Sequence, residues 1–344
     1  MQDITKDVGD GIVRLRLDSP SQLVANAWLV RAGDAIVMVD AGFTHTTAQL
    51  QAGLAELGMT PHDVTHVLYT HTHADHLGGG IAMQPSWAPE QWVSSFTAPE
   101  ATTGYYDWHE QFEATTDFLE RTLPASPEAR RLVEEMRSQP EGPLRSGGDG
   151  TLQRVHVARP GDELTLGDRT FRCVDGRGHD PQHVAWLDTR SGSLLSGDVV
   201  MRVPTPIMRN MHDELFTWLG TLERWGQLGE VTRLLPGHGM ATAMVPEALQ
   251  RSRQSVERLY TCLVEHLEDG LPVDPVDVQR SFLGDDRSRY AQRIAVCLGT
   301  LDSLLFELSR LELTKQLPSR HWVATKGLPT FQSLVQQHRE RFGS

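Results

Sequence analysis

Alternation of apolar and polar positions dominates the first hundred residues. It predicts strands at 12–17, 23–30, 35–39, 66–70 and 91–94, where apolar residues recur at every second position or fill short β-branched runs. Between them, 46–57 carries apolar residues at helical spacing. The stretch from about Ala101 to Ser146 breaks this rhythm with two helix-like segments, 105–123 and 127–138, the second with Ser126 as its N-cap. A Pro/Gly-rich loop follows at 140–150, so residues 101–150 read as an insertion. From Leu152 the strand pattern resumes, with one strand at 170–174, and runs to Leu235. A helix at 213–228 interrupts it, with Leu215, Trp218, Leu219, Leu222 and Trp225 on one face that reads as core. Beyond Met240 the pattern is helical. Pro246 and Gly270 bracket one helix, a second spans 291–313, and 321–325 reads as a short strand. A strand-rich part, 1–245, is therefore expected to precede a mainly helical part, 246–344.

One segment changes the picture. Thr70–His71–Thr72–His73–Ala74–Asp75–His76 puts three histidines and one aspartate into six positions at the end of a strand-like run. Imidazole and carboxylate are the ligand types that suit zinc, and also iron and manganese. His71 and His73 lie two apart in extended chain and can point to one side, while Asp75 and His76 can face a second ion. Gly78–Gly79–Gly80 would let the backbone turn tightly towards a helix. Three later segments repeat one arrangement, a strand followed by glycine and a ligand-type residue: Gly178–His179, Gly197–Asp198 and Gly237–His238. Any one of these is more often a plain turn. Together, in this order, they supply ligands for two metal ions.

The order HxHxDH, then GH, SGD and PGHG resembles the metallo-β-lactamase superfamily of hydrolases, over roughly Gly11 to Met240. The resemblance implies an α/β fold, an αββα sandwich of two mixed sheets flanked by helices. It implies that His71, His73 and His179 hold a first metal, that Asp75, His76 and His238 hold a second, and that Asp198 bridges both. Asp40, in Asp40–Ala41–Gly42, would orient the metal loop from behind the ligands. Ala41 stands where the family usually has a hydroxyl residue. Asp198 occupies a position where true zinc β-lactamases generally carry cysteine, and His76 completes a site more like those of glyoxalase II, lactonases and thioesterases. His183, in the segment Gly178–His179–Asp180–Pro181–Gln182–His183, reads as a supporting histidine and not as a ligand. The helical tail is similar, in element order alone, to the winged-helix-like C-terminal domain of some members.

Composition adds exclusions. The 344 residues are 39% hydrophobic, enough for a large core, with no apolar run of membrane-spanning length. The polar stretch 1–11 does not read as a signal peptide, and the three cysteines form no CxxC pair, so a cytoplasmic location is expected. A net charge of −13 argues against nucleic acid as a partner. The excess lies entirely before Pro246, because thirteen basic and thirteen acidic residues cancel beyond it.

The chemistry implied is hydrolysis of an ester, thioester or lactone by a hydroxide bridging two divalent ions, zinc first, with iron or manganese as alternatives. Asp75 is the expected proton acceptor. A phosphodiesterase or nuclease would use the same metals, but this acidic chain lacks a basic extension. A di-iron oxygen-handling or sulfur dioxygenase-like enzyme is a third reading, since ligands alone do not fix the metal. The expected partner is a small-molecule substrate, with no membrane involved. Tyr105 and Trp108 in the insertion, a candidate lid, and Arg202 and Arg209 in the loop 201–212 are the substrate-contact candidates. The C-terminal helices are expected to pack against the insertion or a second subunit of a homodimer.

Overall fold

The computed structural model describes residues 4–19, 24–84, 87–97, 105–107, 149–201, 214–268, 270–284 and 290–342, with 120, 130, 131 and 134 singly. The alternating segments build two facing sheets. The first contains β1 (Thr5–Asp7), β2 (Ile12–Asp18), β3 (Val24–Ala32), β4 (Ala35–Val39), β5 (His66–Leu68) and β6 (Glu90–Ser94). After the separate ladder of β7 (Tyr105–Asp107) with β8 (Asp149–Thr151), β9 (Val155–Ala158) joins the first sheet beside β6. Pairing is antiparallel up to β4 and parallel beyond it. The second sheet takes β10 (Glu163–Leu166), β11 (Arg169–Asp175), β12 (Val184–Asp188), β13 (Ser193–Gly197) and β14 (Arg233–Pro236) in sequence order, with only β13 and β14 parallel. Both sheets are mixed, as expected.

Period-two patterning explains the layers. On β3, Trp28, Val30 and Ala32 face the second sheet, while Ala27 and Leu29 face outward. The inner apolar layer meets Phe171, Cys173, Val184, Trp186, Leu195 and Leu235 of the second sheet. Outside the first sheet, α1 (Thr47–Glu56) and α2 (Ala74–Met83) cover Val13, Leu15 and Leu17. Outside the second, α3 (Glu214–Gly226), α4 (Val245–Leu267), α5 (Pro275–Leu283), α6 (Tyr290–Arg310) and α7 (Phe331–Phe342) share one continuous apolar cluster with Ala185, Leu187, Leu194 and Leu234. The αββα order is thus complete, and the helices after Met244 pack on its outer layer. A hairpin of β15 (Thr314–Gln316) and β16 (Trp322–Ala324) lies between α6 and α7 in the chain. Among the described residues, no helix is long and apolar enough to cross a membrane.

Three expectations are corrected. The strand expected at 66–70 ends at Leu68, because the chain must leave the ladder to present the ligand residues. Residues 105–107 begin the helix expected over 105–123, yet they form β7, whose backbone groups are taken by β8; most of the remaining insertion lies outside the described residues. Gly78–Gly79–Gly80 is no turn but lies inside α2. A Cβ on Gly79 would lie 2.0 Å from the Ala41 carbonyl oxygen, so the glycine lets α2 press against the loop after β4.

The two sheets are also joined by a buried charge. Arg169 on β11 reaches Asp188 on β12 at 2.5 Å, donates to the Arg31 carbonyl of the first sheet at 2.8 Å, and contacts the Asp10 carbonyl. Both partners of the ion pair are buried. Asp188→Ala should therefore leave a guanidinium buried without its counter-charge and lower unfolding free energy by about 3–5 kcal/mol. Asp168→Ala removes only the exposed pair with Arg190 and should barely move the transition. Chemical denaturation of both variants checks this, and equal midpoints would dismiss Arg169 as the tie between the sheets.

Candidate metal centre

The predicted ligand residues meet at one end of the sandwich, on the loops after β5, β11, β13 and β14 and in the first turn of α2. They fall into two groups, His71–His73–His179 and Asp75–His76–Asp198–His238, with the ligand atoms of each within 4.8 Å of one another. In the first group His73 Nδ1 lies 3.0 Å from His71 Nε2 and 3.2 Å from His179 Nε2. Three nitrogens at tetrahedral corners around one zinc, at bonds of about 2.0–2.1 Å, stand roughly 3.3 Å apart. In the second group His238 Nε2 is 3.0 Å from Asp75 Oδ2 and 3.1 Å from Asp198 Oδ2, and His76 Nε2 is 3.4 Å from Asp198 Oδ2. The same Asp198 oxygen lies 3.7 Å from His179 Nε2, so one carboxylate faces both groups.

Which ring nitrogen carries the hydrogen follows from the outer partners. Asp40 Oδ2 can only accept, so His76 Nδ1, 2.8 Å away, is the donor and Nε2 turns its lone pair inward. Thr70 Oγ1 donates to the same Asp40 oxygen at 2.9 Å and therefore accepts from His71 Nδ1 at 3.0 Å. His238 Nδ1 donates to the Val24 carbonyl at 2.6 Å. In each case it is the other ring nitrogen that points inward, and it becomes the acceptor a metal requires once any proton on it is displaced. His76 Nε2 and Asp198 Oδ1 are buried and make no hydrogen bond among the described residues. Orphaned buried groups are costly, and a cation would satisfy both. The donor set fits two ions.

His183 does not join either group. It is buried, stacks on His71 with ring centroids 4.7 Å apart, and its Nε2 accepts the Asp198 backbone N–H at 3.1 Å. It therefore supports the site in two ways, through the ring of His71 and through the peptide that carries Asp198.

The loops are fixed by residues that sequence reasoning passed over. Asn26 Nδ2 donates to the Pro236 and Gly239 carbonyls at 2.9 and 3.0 Å, its backbone N–H to Gly237 at 2.8 Å, and Trp28 Nε1 to Pro236 at 3.1 Å. The first sheet thus grips the His238 loop of the second. Asparagine inside a strand is unusual, and that was the available signal. On the other side, Trp218 Nε1 donates to Val199, Trp225 Nε1 to Asp175 and Thr221 Oγ1 to Arg177, so α3 pins the loops bearing Asp198 and His179. Gly237 permits closure, since a Cβ there would lie 2.3 Å from Asp198 Oδ1 and 2.6 Å from His76 Cε1.

Electrostatics divides the groups. Burial, then the neighbouring His76, pushes His71 well below the ordinary histidine value, and burial lowers His73 as well. In the second group burial also opposes charge, but the carboxylates outweigh it. Asp198, Asp75 and Asp40 raise His76 well above its ordinary value, and Asp198 with Asp75 raises His238 to about 10. Asp75, although buried, is held down to about 2 by His76 and His238.

A family model described as the metallo-beta-lactamase superfamily matches residues 21–243. The chain belongs to that superfamily. Among curated relatives, the Beta-lactamase-like protein 2 homolog of Caenorhabditis elegans is 22% identical over 84% of this chain and 81% of that protein. The human protein named Acyl-coenzyme A thioesterase MBLAC2 is 26% identical over 68% of this chain and 80% of its own length. A metallo-beta-lactamase family protein of Thermus thermophilus superposes with a TM-score of 0.69 at 20% identity, covering 92% of this chain and 100% of that one, which establishes the shared fold. This superfamily member is a metal-dependent hydrolase with two metal-binding clusters.

The substrate side is less defined. Tyr105 lies in β7, and Trp108, Arg202 and Arg209 lie outside the described residues.

Two outcomes are expected. Zinc added to metal-free protein at neutral pH should release protons, because His76 and His238 hold them until the ion displaces them. The protonated form of His238 prevails below about 10, so binding should tighten as pH rises towards that value. Titration calorimetry in buffers of different ionisation heat reads the proton count; a count of zero would overturn this reading. Separately, Asp198→Ala should abolish binding of a second ion, whereas His183→Ala should weaken metal binding only about ten- to a hundred-fold. Elemental analysis showing equal metal loss in both variants would make His183 a ligand.

Proposed function

We propose that this chain is a two-metal acyl hydrolase whose preferred bond is a thioester, with activated esters and lactones next. The observation that carries this reading is the Asp198 carboxylate placed between two complete ligand groups. His71, His73 and His179 would hold one divalent ion, Asp75, His76 and His238 the other, zinc by preference and iron or manganese as alternatives. Such ions supply an activated water and a charge sink for the carbonyl oxygen. No serine or cysteine nucleophile is required.

The chain's own residues set the leaving group. Asp75 Oδ2, 3.0 Å from His238 Nε2, is the carboxylate proposed to take the proton of the attacking water. Groups that depart as stable anions need the least help from that carboxylate. A thiolate, whose acid has a pKa of about 8.5, leaves unaided; an alkoxide does not. The relative named as an acyl-coenzyme A thioesterase supports the same choice. The acidic net charge speaks against a nucleic-acid substrate.

Purified protein with its native metal should be assayed on acyl-CoA thioesters, lactones, aryl esters, alkyl esters and aryl phosphodiesters. Thioesters and aryl esters should exceed alkyl esters of the same acyl group by at least tenfold in kcat/KM. A dominant rate on aryl phosphodiesters would replace the acyl-hydrolase reading with a phosphodiesterase one.

A further inference from the structure

The site histidines differ in their surroundings. His71, His76 and His179 are buried, but the His73 side chain is 25% exposed, at the solvent side of the cluster. Water could compete there for its outer nitrogen and leave the ring free to turn. Facing that nitrogen is Asp180, with Oδ2 3.4 Å from His73 Nε2 and only 13% of its side chain exposed. Its other oxygen is engaged elsewhere, since Oδ1 accepts the Gln182 backbone N–H at 2.7 Å and closes a tight turn. The Gln182 side chain then meets Thr72 Oγ1 at 3.2 Å, a second link between the same two loops.

We propose that Asp180 is a positioning residue for the first ligand group. Its Oδ2 takes the Nε2 hydrogen of His73, which keeps the Nδ1 lone pair directed at His71 and His179. It also places a carboxylate behind His73, as Asp40 is placed behind His76. Each ligand group then has a carboxylate behind it, one supplied from the end of β4 and one from the loop after β11. The inference rests on reading His71, His73 and His179 as metal ligands.

Asp180→Asn is the sharp test, because asparagine can keep the turn. If its oxygen accepts from Gln182, its amide group faces His73 Nε2 as a donor. That favours the opposite histidine tautomer, with the hydrogen on Nδ1, which cannot ligate. Binding of the more weakly held ion should be followed by competition with a chromophoric zinc chelator, alongside long-range proton–nitrogen NMR of the histidine rings. Asp180→Asn should weaken one ion about ten- to a hundred-fold while the other stays bound, and move the His73 hydrogen from Nε2 to Nδ1 in the metal-free protein. Asp180→Glu should recover part of the affinity. Thr72→Val removes the other link between the loops and serves as the control. Should Thr72→Val weaken binding as much as Asp180→Asn, or should Asp180→Asn bind both ions within twofold of the parent, Asp180 would be a loop tether only. Failure of the parent to turn over any ester or thioester would refute the acyl-hydrolase reading and leave this binding result standing.

Discussion

One buried carboxylate, Asp40, orients a histidine in each of the two ligand groups. Asp40 accepts the Thr70 backbone N–H on Oδ1 at 2.8 Å, and both the Thr70 hydroxyl and His76 Nδ1 on Oδ2. Through Thr70 it orients His71 in one ligand group, and directly it orients His76 in the other. The backbone at Asp40 lies in the left-handed region, with φ of 59°. Aspartate tolerates that region better than most residues, at a cost on the order of 1–3 kcal/mol. Hydrogen bonds to a buried carboxylate, each worth about 1.5–3 kcal/mol, offset it. The strained residue persists because the end of β4, the end of β5 and the first turn of α2 all close on it.

Much of this was legible in the chain, for reasons that can be named. Residues 13–17 alternate so regularly that the strand, and the face each residue takes, follow from period two, while 35–39 is a short apolar run that marks a strand without assigning its faces. The ligand residues are legible because histidine and aspartate at strand ends have few other reasons to cluster. Asp40 and His183 were legible only through the family resemblance. What stayed hidden depends on tertiary contact. Val24 serves His238 with a backbone carbonyl, which no residue type announces. The glycines of α2 look like a turn and turn out to be a helix face shaved for close approach. The helix α5 was not anticipated, because its nine residues carry too short a periodic stretch to stand out; Asp274 caps it by accepting from Val276 at 2.9 Å.

The αββα frame explains how candidate ligands so far apart in sequence are brought together at one end of the sandwich. Each sheet delivers part of the set, and each part is fastened by the opposite sheet. Asn26 and Trp28 of the first sheet hold the His238 loop. Val184 of the second sheet donates to the Thr70 carbonyl at 2.8 Å, and Trp186 Nε1 to the Tyr69 carbonyl at 3.0 Å, just before the first ligands. Outside, α3 holds the loops of His179 and Asp198 and is itself buried in the cluster formed with α4 to α7. The helices beyond Met244 therefore stand behind the first ligand group even though none of them reaches it.

The two groups are chemically unequal, and Asp198 is where the inequality matters. One group is three imidazoles, of which burial drives His71 and His73 towards neutrality; the other mixes imidazoles with carboxylates that attract positive charge. His71, His73 and His179 would leave an ion more of its charge, whereas Asp75 would partly neutralise an ion held beside it and is itself the group able to take a proton. The Asp198 carboxylate faces both environments, 3.7 Å from His179 Nε2 and 3.1 Å from His238 Nε2. That division of labour suits a reaction in which charge builds on a carbonyl oxygen and then departs on a neighbouring atom, which is the course of acyl transfer to water.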